Sequence, residues 1–67
     1  MTRRRYESSQ SRHTRAVRAL GGVRIAERAE QLRACGIAPA RVAELLEVPA
    51  AGLAAYYALQ DEMAGAA

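Results

Sequence analysis

The chain contains 67 residues, of which 51% are apolar and 25% are charged, and its formal net charge is +3. This apolar content excludes a disordered chain, and no apolar run approaches the roughly 18 residues that a membrane-spanning helix needs. One cysteine excludes an internal disulfide. The basic N-terminus is not followed by the apolar stretch of a secretory signal. We therefore expect a single small cytoplasmic domain with no membrane partner.

Charge is divided unevenly along the chain. Residues 1–33 hold nine arginines and three glutamates, whereas residues 34–67 hold one arginine and four acidic residues. An excess of positive charge confined to one half favours an anionic partner for that half. The alternative is a basic tail that only keeps the chain soluble.

The N-terminal third predicts a basic arm followed by a short helix. Residues 1–10 show no apolar period and should form a flexible, extended arm. Residues 11–20 show a weak helical pattern. The Gly21-Gly22 pair should end this helix, because two glycines inside a helix cost about 2 kcal/mol relative to alanines. A helix that continues through the pair is the alternative.

The segment that begins at Val23 predicts the clearest helix. Its apolar stripe contains Ile25, Ala26, Ala29 and Leu32. Its hydrated side contains Arg24, Glu27, Arg28 and Glu30. Gly36 can end the helix in the left-handed conformation, so the helix should stop near residue 35, and Ile37 can add a hydrophobic contact beyond it.

Two more helices are predicted in the second half. The first should begin at Pro39, because proline suits the first helical position. Its buried face should contain Val42, Ala43, Leu45 and Leu46. After a tight connection at residues 47–49, the last helix should run from about Ala50 to Met63, with one side formed by Leu53, Tyr56, Tyr57 and Gln60. These elements predict an all-α fold, a small three- to four-helix bundle in a single domain at residues 11–67.

The segment at residues 32–57, LRACGIAPARVAELLEVPAAGLAAYY, resembles the tri-helical helix-turn-helix domain of resolvase/invertase-like and homeodomain-like bacterial or phage regulators. The matching pattern is Leu-x-x-x-Gly-Ile, a Val-Ala pair, Leu-Leu, Val-Pro, and then a leucine and a tyrosine pair. The resemblance implies a helix-turn-helix at about residues 38–60. It also implies that Ala43 is small because two helices approach there, and that Leu53 and Tyr56 fix the last helix to the core.

The resemblance further implies that the last helix enters the major groove of DNA with its first residues at the base edges. The candidate last-helix contacts, with DNA or with protein, are Ala50, Ala51, Gly52, Ala54, Ala55 and Tyr57. Five of these six residues have no side-chain hydrogen-bonding group, and Glu47 stands where the family usually has glycine. Base discrimination requires such groups, so we expect this helix to read few bases.

Arginines of the N-terminal third are the stronger DNA-binding candidates. They are Arg3, Arg4 and Arg5 in the arm, and Arg12, Arg15 and Arg18 in the first helix. The arm triplet resembles the short basic arms that homeodomains and invertase domains place in the minor groove. The helix triplet has a spacing of three, which puts it on one face, where it can contact the adjacent phosphates.

No catalytic site, metal site or cofactor is predicted. His13 is the single histidine and lies among arginines, so we expect it to be exposed or to contact phosphate. We expect Cys35 to be a small buried hydrophobe that reacts slowly with thiol reagents. One cysteine and one histidine do not form a metal site, and the glycines lack the spacing of a phosphate loop. We therefore expect no enzymatic activity and no small-molecule substrate.

These features predict a small DNA-binding, transcription-regulatory protein of phage or bacterial type. It would bind duplex DNA mainly through its arginine-rich arm and phosphate contacts, as a homodimer or beside a larger protein. The alternative is a degenerate helix-turn-helix that acts as a protein-interaction module, for example with the transcription machinery, through its Ala/Leu/Tyr last helix. A third hypothesis, a basic peptide bound to RNA, is less favoured because the acidic second half would be repelled.

Overall fold

The computed structural model describes residues 9–65, and the all-α prediction is confirmed there: this range holds helices and no strand. The helices are α1 (Ser9–Leu20), α2 (Val23–Ala34), α3 (Pro39–Leu46) and α4 (Ala50–Gly65). The predicted arm at residues 1–10 was too long by two residues, because Ser9 and Gln10 belong to α1. The rest of that predicted arm lies outside the described residues.

The glycine pair between α1 and α2 breaks the chain into two helices, so a helix that continues through it is excluded. Gly21 and Gly22 both have positive φ angles, 130° and 117°, a region that favours glycine because it has no Cβ. The Gly22 amide donates to the carbonyl of Val17 at 2.9 Å, and the Gly21 amide donates to that of Arg18 at 3.2 Å. These bonds satisfy the last carbonyls of α1 and turn the chain into α2.

The end of α2 has the predicted glycine cap. Gly36 has a φ of 85°, and its amide donates to the Arg33 carbonyl at 2.9 Å. The Ile37 amide donates to the Leu32 carbonyl at 3.2 Å, which completes a Schellman motif. The side chains of Ile37 and Leu32 both pack against the core.

The core takes residues from all four helices. Its buried members are Leu20, Ala26, Ala29, Val42, Ala43, Leu53, Tyr56 and Tyr57. Arg12, near the start of α1, contacts Glu62, near the end of α4, so these two helices pack antiparallel. Because the buried members of α2 are both alanines, the tyrosines of α4 supply most of the core volume opposite them.

The expected burial of Cys35 is wrong, because this side chain is exposed. The buried face of α2 is centred on Ala26 and Ala29. Cys35 lies nine residues after Ala26, which is two and a half turns of helix, and therefore belongs to the opposite side. In addition, α2 ends at Ala34, so Cys35 is the C-cap residue in the turn.

The expected burial of Leu45 is also wrong, because this residue is 48% exposed. Val42 and Ala43 are the buried residues of α3, and Leu46 packs partly against the core. Leu45 is two residues from Ala43, a step of about 200° around a helix, and so it points away from the core.

One backbone position of the connection between α3 and α4 predicts a stabilising substitution. Glu47 is left-handed, with a φ of 57°, and it ends α3 while its amide donates to the Glu44 carbonyl at 3.2 Å. Glycine adopts this conformation without the Cβ clash, so Glu47→Gly should raise the free energy of unfolding by about 0.5–1 kcal/mol. Thermal unfolding followed by circular dichroism would show a melting temperature several degrees higher.

The control for this substitution is Glu47→Ala, which removes the same charge but keeps a Cβ. It should leave the melting temperature unchanged or lower. Equal stabilisation by glycine and alanine would show that the charge, and not the backbone conformation, is the source of the effect.

Candidate nucleic-acid interface

The structure places two groups of predicted contact residues beside each other. Arg12 and Arg15 of α1 are exposed and line a groove of about 310 Å³, whose opposite wall contains Ala55 and Leu59 of α4. Arg18, the next member of the α1 row, is also exposed. Arg12 and Arg15 therefore border α4, which the sequence did not predict. The arm candidates Arg3, Arg4 and Arg5 lie outside the described residues.

Arg12 forms a salt bridge with Glu62 of α4. Its guanidinium donates to Glu62 Oε1 at 2.9 Å, and the two side chains are 45% and 57% exposed. A pair this exposed to water contributes little stability. A phosphate that bound Arg12 would therefore replace Glu62 at a small cost.

The last-helix candidates divide into exposed and buried residues. The exposed ones are Ala50, Ala51, Ala54 and Ala55. Gly52 is half-buried, and a Cβ placed there would meet Pro49 only at 4.0 Å. Tyr57 is 5% exposed and donates from its hydroxyl to the Ala29 carbonyl at 2.8 Å. Tyr57 is thus a core residue and does not form part of an exposed contact surface.

The exposed face of α4 changes in chemistry along the helix. Its first half presents only methyl groups, from Ala50 to Ala58. Its second half carries Asp61 and Glu62, both exposed. An anionic partner would therefore meet a neutral surface near Arg15 on the first half of α4, and a repulsive surface near Arg12 on the second half.

The connection between α3 and α4 is three residues long, at residues 47–49. Val48 packs partly against the core, and the Pro49 carbonyl accepts the first helical bond of α4, from the Leu53 amide at 3.1 Å. Ala43, Leu53 and Tyr56, the structural positions implied by the resemblance, are all buried. The connection therefore joins two helices that both pack on the core.

The expectation that His13 is exposed or contacts phosphate does not hold, because this residue is half-buried against α4. Its ring centroid lies 6.1 Å from that of Tyr56, and its Nδ1 atom is buried without a hydrogen-bond partner. His13 precedes the buried Leu20 by seven residues, or two helical turns, and so shares its face. This spacing is the sequence signal that could have placed it.

Glu30, which the sequence assigned to the hydrated side of α2, belongs to a partly buried polar cluster. Its Oε2 atom accepts from the Tyr56 hydroxyl at 3.0 Å and from Gln60 Nε2 at 2.7 Å. Burial, together with the hydrogen bond to Glu30 and the charge of Glu30, raises the pKa of Tyr56 to about 12. The cluster joins α2 to α4.

Arg33 has a structural role next to Tyr57. Its guanidinium lies 4.5 Å from the centroid of the Tyr57 ring, a cation–π geometry, and donates to Asp61 Oδ2 at 2.8 Å. The hydrogen bond from Arg33 lowers the pKa of Asp61 below its usual value. Like Arg12, Arg33 pairs with a carboxylate of α4, and in addition it contacts a buried tyrosine ring of that helix.

Two further properties concern the described part of the chain. Between residues 9 and 65, no three histidine, cysteine, aspartate or glutamate side chains are grouped as metal ligands. None of the four helices combines the length and the apolar character needed to cross a bilayer.

The buried tyrosine predicts a loss of stability at alkaline pH. The pKa of Tyr56 is raised above its unfolded value of 10, so between pH 10 and about 12 the unfolded chain releases a proton that the folded chain retains. Each such proton lowers the free energy of unfolding by about 1.4 kcal/mol per pH unit. Burial raises the pKa of Tyr57 too, which acts in the same direction.

Replacement Tyr56→Phe should make this decline shallower while costing about 1 kcal/mol at pH 8 through the lost hydrogen bond. Urea unfolding followed by circular dichroism between pH 8 and 12 measures both effects. Identical pH dependence in the two proteins would show that Tyr56 titrates normally in the folded state.

Comparison of the chain with protein-family models, curated proteins and solved structures finds no match.

Proposed function

We propose that this chain binds duplex DNA, mainly through arginines of its N-terminal third, as a small transcription-regulatory protein of phage or bacterial type. The observation that best supports the proposal is that Arg12 and Arg15 share a groove with Ala55 of α4. Arginines on this border can contact phosphates while the methyl face of α4 comes close to the DNA surface.

The spacing of the α1 arginines suits a phosphate backbone. Arg12, Arg15 and Arg18 span about 9 Å of helix axis at 1.5 Å per residue. Phosphates of one DNA strand recur about every 3.4 Å along the duplex axis, so the row can follow two or three of them. Arg3, Arg4 and Arg5 would add three positive charges to those of the α1 arginines.

The charges on α4 define how the protein would lie on DNA. Asp61 and Glu62 are exposed near its C-terminal end, where they would repel phosphates. The neutral half that begins at Ala50 would therefore be the half that faces the duplex. Because this half offers methyl groups only, binding would have little sequence preference beyond groove shape.

The proposal predicts a specific loss of affinity when the α1 row is neutralised. Wild-type binding through four to six phosphates should give a log–log salt slope of about −4 to −5. The double substitution Arg15→Gln with Arg18→Gln should flatten this slope by about two units and weaken binding at every salt concentration. Fluorescence anisotropy with a labelled duplex, at several salt concentrations, measures both quantities.

The matched control is Arg24→Gln with Arg28→Gln, which removes two exposed arginines from α2. The buried face of α2 contains Ala26 and Ala29, so Arg24 and Arg28 are exposed on its opposite side, and neither lines the groove. This control should retain most of the slope. Equal losses in the two variants would indicate a diffuse effect of net charge, and no binding by the wild type at low salt would reject the DNA proposal.

A second candidate function is a protein-interaction module, which the exposed methyl face of α4 favours. Ala51, Ala54 and Ala58 are all exposed and need no polar partner when covered. Alanines also let a second helix approach closely. The partner would be a second copy of the chain or a component of the transcription machinery.

Glutamine at Ala54 and Ala55 separates the two functions. The double substitution Ala54→Gln with Ala55→Gln adds bulk and hydrogen-bonding groups without charge. It should disrupt a close protein contact but maintain or raise DNA affinity in a groove. Light scattering reports association and anisotropy reports DNA binding. A matched variant, Ala34→Gln with Ala40→Gln, changes exposed alanines of α2 and α3 and should affect neither.

A further inference from the structure

Two neighbouring carboxylates near the end of α4 have partners on different helices. Glu62 Oε1 accepts from the Arg12 guanidinium of α1 at 2.9 Å. Asp61 Oδ2 accepts from the Arg33 guanidinium of α2 at 2.8 Å, and this guanidinium also lies 4.5 Å from the centroid of the Tyr57 ring. Asp61 therefore belongs to the contact between α2 and α4, whereas Glu62 pairs with an arginine of the candidate DNA surface.

The position of Glu62 is unfavourable for α4 itself. This residue lies in the last turn of the helix, which ends at Gly65. Carboxylates are disfavoured at the C-terminal end of a helix, because the helix dipole is negative there. The ion pair with Arg12 offsets this effect. The contact with α1 is therefore the favourable interaction that the Glu62 charge makes.

The carboxylate of Glu62 lies beside one end of the row of α1 arginines. Arg15 is about 4.5 Å further along the α1 axis than Arg12, and Arg18 is about 9 Å further. Because α1 and α4 pack antiparallel, this direction leads towards the neutral half of α4, where Arg15 shares the groove with Ala55. The Glu62 charge therefore acts most strongly on Arg12 and less on the rest of the row.

We propose that Glu62 is an internal competitor for DNA: it holds Arg12 in the free protein and must be displaced before this arginine binds a phosphate. This regulatory contact rests on the proposed DNA-binding function. Both side chains are about half exposed, so the carboxylate can be displaced without unfolding either helix. An exposed ion pair favours its paired arrangement by about twofold to fivefold. Repulsion between the displaced carboxylate and a phosphate about 7 Å away in water adds a factor of about two.

Removal of the competing charge should raise DNA affinity. Glu62→Gln should tighten the binding of a labelled duplex by about threefold to tenfold at about 50 mM salt. The gain should shrink at higher salt, because salt screens both the ion pair and the repulsion. Fluorescence anisotropy at several salt concentrations measures the ratio of the two Kd values, and circular dichroism checks that the variant keeps its helices.

The matched control is Asp61→Asn, which removes the same charge one residue away. Its partner Arg33 remains beside the Tyr57 ring, so this variant releases no arginine of α1. The gain in DNA affinity should be less than about twofold, through screened long-range repulsion alone. Equal gains from Asp61→Asn and Glu62→Gln would indicate a general effect of net charge and would overturn the proposal.

A double-mutant cycle tests whether Glu62 acts through Arg12. In the Arg12→Gln background, the substitution Glu62→Gln releases no guanidinium, so its gain should fall to less than about twofold. The full gain in this background would show that the carboxylate opposes DNA without competing for Arg12, which also overturns the proposal.

The outcomes separate the internal competitor from the function on which it rests. Equal Kd values for the wild type and Glu62→Gln would retain DNA binding and reject the competitor. If neither protein binds DNA at low salt, the DNA-binding function is rejected and the competitor with it. Binding by Glu62→Gln alone would support both, because the carboxylate would then hold the affinity of the wild type below the range of the measurement.

Discussion

Two tyrosine rings fill the centre of a core that has neither phenylalanine nor tryptophan, and each ring brings a hydroxyl that needs a partner. Tyr57 donates to the Ala29 carbonyl, inside the backbone of α2, and Tyr56 donates to Glu30 one residue further on. Ala29 is fully buried, and because its side chain is a single methyl group the rings can reach the α2 backbone. The position of α4 against α2 therefore depends on polar contacts as much as on apolar volume, because an unpaired buried hydroxyl costs about 1–3 kcal/mol.

The same packing produces the surface to which we assign function. Tyr56 and Tyr57 contact α2, other parts of α4 pack against α1 and α3, and the rest of the helix faces solvent. The edge that α1 occupies brings Arg12 and Arg15 beside Ala55. In the sequence, the arginines of α1 and the alanines of α4 are separate candidates. In the structure they form one surface, because the tyrosine contacts on the opposite side of α4 fix the orientation of that helix.

Sequence reasoning succeeded where structure depends on neighbours in the chain. A glycine whose φ is positive ends a helix for local steric reasons, so the stop at Gly36 could be predicted from a few residues.

Prediction from the sequence failed where the contact partner of a residue is distant in the chain. The sequence predicts that Glu30 faces solvent, because charged residues usually do. Its hydrogen-bond donors, the Tyr56 hydroxyl and the Gln60 amide, lie 26 and 30 residues later in α4. His13 was misplaced for a related reason: its apolar contact is the ring of Tyr56. The burial expected for Cys35 was wrong because the buried face of α2 is centred on Ala26 and Ala29, and because the helix ends before Cys35.

The pairing of Arg12 with Glu62 bears on how the proposed DNA complex would form. The Glu62 carboxylate accepts from the Arg12 guanidinium at 2.9 Å, a hydrogen bond that a phosphate oxygen could also accept. In free protein this pair keeps the Arg12 side chain near the groove at little cost in stability, since both groups remain about half exposed. When DNA approaches, the phosphate charge competes with Glu62 for the same donor, and the displaced carboxylate repels the backbone that replaced it. The acidic half of α4 would therefore weaken binding at Arg12, whereas Arg15 lies in the groove with Ala55 of the neutral half and could contact a phosphate farther from Asp61 and Glu62.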